Sequence, residues 1–167
     1  MNIFYLSEST RECAVWHNDK HCVKMILEYG QLLSTAHRIL DGFQENGRWQ
    51  LPGIRNELLP KASHINHPCS KWVREDYAHY QYLYRLFKYL INEYNYRYEK
   101  NHKYEMLTSR LSLAPHNIPE NGFNPPPKVV PEDCKCHSTT ESYRNYYMKY
   151  KRHIAKWKKR SQPEWFV

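Results

Sequence analysis

Asp19–Arg38, DKHCVKMILEYGQLLSTAHR, is the stretch on which the fold turns. At about 100° per residue, His21, Lys24, Glu28, Gln31 and Thr35 fall within roughly 80° of one another. Val23, Ile26, Leu27, Gly30, Leu33 and His37 lie broadly on the other side. That spacing predicts a helix with one polar and one apolar face. Asp19 is a candidate cap, and Asp41-Gly42 marks the end, since glycine is the usual residue just past a helix C-terminus. Upstream, the Ser7–Thr10 cluster offers caps for a first helix over about Thr10–His17. The two helices also read as one continuous helix, in which case His17 joins the polar stripe.

Working outward, Phe43–His67 carries glycines and prolines and reads as loop with one short helix. Pro68 suits the first position of a long helix, with Asn66 or His67 before it. Trp72, Tyr77, Tyr80, Leu83, Phe87, Leu90, Ile91 and Tyr94 continue its apolar face to about Lys100. Ser112–Lys135, including Pro125-Pro126-Pro127, reads as an extended segment wrapping the surface. Ser138-x-x-Glu141 has the pattern of a capping box opening a last helix to about Arg160. No alternation is long enough to build a sheet. The expected fold is mainly α: a single helical domain over 1–167, with three to four principal helices and a Pro-rich wrapping segment.

Composition narrows the function classes. With 41% hydrophobic and 25% charged residues over 167 positions, the chain can bury a core. A net charge of +8 predicts a polyanionic partner: DNA or another nucleic acid, a nucleotide or an anionic membrane surface. No apolar run approaches the roughly 18 residues of a membrane span, so no membrane partner is expected. The N-terminus lacks the basic and apolar regions of a signal peptide. Five cysteines in unpatterned positions then read as reduced thiols, which predicts a cytoplasmic protein, the host cytoplasm if viral. No cofactor and no protein partner are predicted.

The polar stripe reads either as an exposed Lys24–Glu28 ion pair or as a cleft wall with Glu28 as acid/base. In the second case His17, Lys20, His21, Lys24 and Gln31 are substrate contacts. His17 and His21, four residues apart, could chelate a metal with His37, His64 or His67. The sequence lacks the glutamate of the zinc-protease helix, and no metal is predicted. Asn66 and His67 read as a capped turn or as ligand contacts near a helix N-terminus. Cys134-x-Cys136-His137 is half a metal site without a second half. From Arg144 to Arg160 the chain has eight Lys or Arg and no acidic residue. Arg144, Tyr147, Lys149, Lys151, Arg152, Lys156 and Trp157 are therefore candidate phosphate and base contacts. An amphipathic membrane-surface helix is the competing reading.

The blocks DKHCVKMILEYGQLLSTAHR and HINHPCSKWVRE, with YRNYY near the C-terminus, resemble a family of small phage and bacterial proteins, which implies a viral origin and no chemistry. A more distant resemblance carries chemistry. Asp19-Lys20-His21, followed at seven residues by Glu28, is similar to the helix of the phage pyrimidine-dimer DNA glycosylases, as is Asn66-His67-Pro68 to a segment of their bacterial members. The resemblance implies a DNA glycosylase/AP lyase whose nucleophile is the chain's N-terminal amine, a group whose ordinary pKa of about 8 leaves a neutral fraction near pH 7. It also implies that Glu28 is the catalytic carboxylate and His21 a DNA contact. The nucleophile would be the amine of Met1 or, after Met removal, of Asn2. Leu27 and Lys20 stand where the family has Arg and Gln. The alternative is a non-catalytic phage protein that binds a nucleotide or a nucleotide-derived host signalling molecule.

Overall fold

The computed structural model describes residues 1–167. The chain forms α1 (Thr10–Trp16), α2 (Asp19–Asp41), a hairpin of β1 (Phe43–Glu45) and β2 (Arg48–Gln50), α3 (Arg55–Leu58), α4 (Pro68–Glu75), α5 (Tyr77–Tyr98), α6 (Leu107–Arg110) and α7 (Thr139–Tyr150). Short 3₁₀ turns at Glu132–Cys134 and Arg152–Ile154 precede and follow α7. The fold is mainly α, with the two-stranded hairpin as its only sheet. No helix is long and apolar enough to cross a membrane.

α2 and α5 form the centre, flanked by α1 and α4, around one core cluster of 31 buried residues. α2 contributes Cys22, Met25, Ile26, Tyr29, Leu32, Leu33 and Ala36. Val23 is exposed and Leu27 half-buried, so the buried face is turned toward the polar stripe relative to the sequence-based expectation. The reason is the extended segment Met1–Leu6, which lies along that edge with Ile3 and Leu6 fully buried. Gly30 faces the Tyr104 ring so closely that a Cβ would sit 2.9 Å from it.

Several boundaries depart from the sequence-based expectation. α1 and α2 are separate helices, because His17 leaves the helical region (φ −60°, ψ 126°) and Asn18, not Asp19, caps α2 by accepting from the His21 amide at 2.9 Å. The expected helix from Pro68 to Lys100 breaks at Asp76. This buried carboxylate accepts from the Ala78 amide at 2.7 Å and, through its other oxygen, from the Gly122 amide at 2.8 Å. It thereby starts α5 and fastens the Pro-rich segment in one place. The hairpin turns on Asn46 and Gly47, both at positive φ, as a two-residue turn with the twist of paired strands requires. The last helix ends at Tyr150 rather than Arg160, and the chain then doubles back over α1.

The Pro-rich segment does wrap the surface. Trp72 donates its indole N–H to the Asn124 carbonyl at 3.0 Å, and Tyr143 donates its hydroxyl to the Pro127 carbonyl at 2.7 Å. A buried charge cluster ties α5 to both ends of the chain. Arg97 bonds Glu93 at 2.8 Å and Asp19 at 3.0 Å, and Arg160 bonds Glu93 at 2.9 Å.

Buried neutral histidines make the fold acid-labile. His37 accepts from Arg55 at Nδ1 (2.9 Å) and donates from Nε2 to Tyr80 (2.8 Å). Burial and then the Arg55 charge, against the pull of Asp41, push its pKa down to about 4. His17 is likewise pushed down to about 4, by burial first and by Arg97, against its bond to the Cys13 carbonyl. Between pH 6.5, the ordinary value, and about 4, the unfolded chain takes up protons that the folded chain refuses. Stability is therefore whole above that window and is lost as pH falls through it, by up to about 1.4 kcal/mol per pH unit for each histidine. Urea midpoints should drop between pH 7.5 and 5. Equal midpoints would show that these imidazoles accept protons within the fold.

Candidate active site at the N-terminal amine

The extended segment Met1–Leu6 is held from four sides. Asn2 donates its amide to the Val129 carbonyl at 2.8 Å, and the Phe4 amide donates to the Tyr29 hydroxyl at 3.1 Å. Cys13 Sγ reaches the Phe4 carbonyl at 3.1 Å, and Arg144 donates to the Leu6 carbonyl at 3.0 Å. The direction of the buried relay behind Phe4 follows from the chemistry of its members. His17 Nδ1 faces the Cys13 carbonyl at 2.7 Å, which can only accept, so the ring proton sits there. Nε2 then accepts the Tyr29 hydroxyl proton at 2.8 Å, and the Tyr29 oxygen is left to accept from Phe4.

This segment delivers the α-amine of Met1 to Glu28. The amine nitrogen lies 3.7 Å from Glu28 Oε2, and Lys24 Nζ lies 3.4 Å from Oε1. The carboxylate thus stands between two nitrogens, one on a half-buried residue whose own side chain is buried and one on a freely solvated stem (70% exposed). Around them is a pocket of about 190 Å³, walled also by Asn2, Phe4, His21, Met25, Tyr146 and Lys151. Lys151 Nζ sits 4.8 Å above the Tyr146 ring. Larger clefts lie elsewhere, among them one of about 800 Å³ between α1 and α5 and one of about 510 Å³ beside the hairpin. The small pocket is the one that gathers an amine, a carboxylate, two lysines and an imidazole.

His21 is stacked on Phe4, with centroids 4.1 Å apart, and its Nδ1 lies 2.6 Å from the Tyr147 hydroxyl. Burial, then the charges of His17, Lys151 and Lys24, push its pKa down to about 2. It is a neutral hydrogen-bonding group there and no acid. His67 caps α4 by accepting from the Cys69 amide at 3.1 Å. Burial lowers its pKa, with the N-terminal ammonium and His64 adding to that and Glu28 opposing it, so it stands within the field of the site. Asn66 beside it is exposed.

The remaining sequence-predicted residues are placed differently. His17 is fully buried in the relay and reaches no pocket. With both imidazoles committed to Tyr29 and Tyr147, His17 and His21 form no chelate, and no three His, Cys, Asp or Glu side chains converge as metal ligands anywhere in the fold. Lys20 lines a neighbouring open depression with Asp19, Val23, Tyr98 and Lys24, the last of which also walls the amine pocket. Gln31 is half-buried one turn beyond Glu28, outside the pocket. Asn2 anchors the segment, and the amine at Glu28 is that of Met1.

The basic C-terminal run is not one phosphate-gripping helix. Arg144 is sandwiched between Trp16 and Trp165, at 4.9 and 5.4 Å. Tyr147 is fully buried. Lys149 pairs with Asp133 at 3.3 Å, and Arg152 bonds the Val167 carbonyl beneath the Phe166 ring. Trp157 is buried and donates to the Trp16 carbonyl at 3.0 Å. Tyr147 and Trp157 are core, and their burial turns the chain away from a helical path, whereas Tyr146 is half-buried and Tyr150 exposed. Lys151 alone of these seven reaches the pocket, and Lys156 is solvent-exposed. Tyr29 and Phe4 are not legible in the sequence as parts of the site. Their signal, aromatics in segments that read as core, is indistinguishable from ordinary packing.

No protein-family model, no curated protein and no solved structure matches the chain.

Proposed function

We propose that the chain is a DNA glycosylase/AP lyase acting on a damaged or modified pyrimidine, with the Met1 amine as nucleophile and Glu28 as proton carrier. The observation that carries this reading is the 3.7 Å approach of that amine to Glu28 in a pocket flanked by two lysines. A neutral amine attacks C1′ of an extrahelical nucleotide, and the glycosidic C–N bond breaks with its electron pair leaving on the base. Glu28 takes the proton the amine sheds. The deoxyribose ring opens, its O4′ takes up a proton, and C1′ and the amine become an iminium. Glu28 next receives a proton from C2′ once it has released the first, and the 3′ phosphate leaves by β-elimination. Water hydrolyses the iminium and restores the amine. Lys24 and Lys151 offset the flanking phosphates, and His21, with Nδ1 held by Tyr147, offers its other ring nitrogen to the substrate.

Borohydride trapping tests this. Protein with a free α-amine verified by intact mass should give one covalent adduct on an abasic or dimer-containing duplex, mapped to residue 1. Adding one residue ahead of Met1, or acetylating the amine, should remove the adduct. No adduct on either duplex would overturn the catalytic reading. Recovery of a tightly bound nucleotide unchanged from the same pocket would establish the non-catalytic alternative.

A further inference from the structure

The polar stripe of α2 does not stop at Thr35. Arg38, ten residues beyond Glu28, continues it at helical spacing, about 15 Å further along the axis. Its guanidinium is 1% exposed. All five of its N–H groups are used, on the carbonyls of Pro60, Trp49, Asn56 and Leu59 and on Asn56 Oδ1. Every acceptor is neutral, and Arg38 has no carboxylate partner, so a buried positive charge is left uncompensated within the chain. Thr35 and Ser34 bind the same loop, the first taking the Ser63 amide at 3.1 Å.

The loop so fixed carries Lys61 to one side of a pocket of about 510 Å³, and the hairpin carries Arg48 and Trp49 to it. No acidic residue lines this pocket. Neither Arg48 nor Lys61 forms an ion pair, although Glu45 is the cross-strand partner of Arg48. Three cations without an acid, over a frame rigid enough to bury one of them, form a phosphate seat. Further along the same loop, His67 lies in the field of the amine, of Glu28 and of His64.

We infer that the hairpin pocket is a second anchor for the nucleic-acid backbone, holding a phosphodiester with Arg48 and Lys61 while α2 sets its distance from the reacting amine. This rests on the nucleic-acid reading above. The roughly 15 Å along α2 from Glu28 to Arg38, on which the seat is built, corresponds to roughly four nucleotides along one strand of a duplex. The anchor would therefore read position and not sequence, with the Trp49 ring against sugar or base.

The test is duplex binding by fluorescence anisotropy, at salt concentrations from 50 to 300 mM, with the full chain. Arg48→Ala/Lys61→Ala should weaken binding several-fold, equally on all sequences, and lower the slope of log K against log salt by about 1–2. Lys88→Ala/Lys103→Ala removes the same charge from exposed lysines outside the pocket and should leave the slope within about half a unit of wild type. Circular dichroism of both variants controls for folding, and Arg48→Lys should restore most of the affinity. A slope and affinity no different from the lysine control would overturn the anchor, as would a wild-type chain that does not bind duplex DNA. Borohydride trapping separates the two proposals. An adduct with no change in slope would leave the catalytic reading standing without the anchor. A changed slope with no adduct would leave a backbone grip without that chemistry.

Discussion

Glu28→Gln should lower the rates of adduct formation and strand cleavage by about 10²–10⁴-fold, the usual range for a positioned proton-transfer group. Its thermal midpoint should stay within a few degrees of wild type. The substitution keeps the shape of the side chain. The glutamine oxygen can face one of the two nitrogens while its NH2 meets the other; turned toward the Met1 amine, it gives up only the pair with Lys24, whose side chain is 70% exposed, and an exposed ion pair of that kind contributes little to stability. What the amide cannot do is take the proton that the amine must shed. Lys24→Ala provides the contrast: it removes the solvated neighbour, keeps the carboxylate, and should cost far less in rate than it costs in affinity. An unchanged adduct rate in Glu28→Gln would remove Glu28 from the chemistry, whatever its proximity to the amine.

Arg38→Met should produce the largest loss of stability of any single change considered. Methionine fills much of the same length, yet it removes five donated hydrogen bonds, among them the one to the Leu59 carbonyl at 2.8 Å, while Asn56 Oδ1 keeps the Leu51 amide and the Pro60 carbonyl keeps the Ser34 hydroxyl. Abandoning a buried acceptor costs about 1–3 kcal/mol, and water reaching the loop would recover part of the total. The expected net loss is therefore about 3–5 kcal/mol, or a fall of roughly 10 °C in midpoint for a chain of this size. Arg38→Lys should recover less than half of it, since an ammonium has three donors and no planar fork. A loss below about 1 kcal/mol would show that the loop of residues 51–65 is held by other contacts.

The helices of this fold were legible where a single period ran long enough. The period marks α2 from a cap at Asp19, one residue past the true cap Asn18, to an end near Asp41-Gly42, and Pro68 marks the opening of a helix. The break at Asp76 was not legible, because its cause lies in the amides of Asn121 and Gly122, more than forty residues away. The hairpin went unread although Asn46-Gly47 is a strong local turn signal, because its three-residue strands show no alternation. At the site, the stripe residues Lys24 and Glu28 share one pocket, and His21 joins them only because α2 is rolled inward beneath Phe4. His17 and Tyr147 looked like ligand contacts and are buried polar core, since sequence does not tell an imidazole that meets a tyrosine from one that meets a substrate. The basic run misled most. Its charges suggested a grip, but Trp157 and Tyr147 decided its path by packing.

The walls of the amine pocket are drawn from opposite ends of the polypeptide. Met1, Phe4, His21 and Glu28 come from one segment and Tyr146 and Lys151 from another, with the bond from His21 to Tyr147 spanning 126 positions. Bringing such distant segments together costs chain entropy that no local contact repays. A partly unfolded chain can therefore keep α2 as a helix while the imidazole of His21 has no tyrosine and the amine has no lysine on its far side. The pocket exists only while both segments are docked, so local opening of residues 146–151 dismantles it and leaves the helix that carries Glu28 in place.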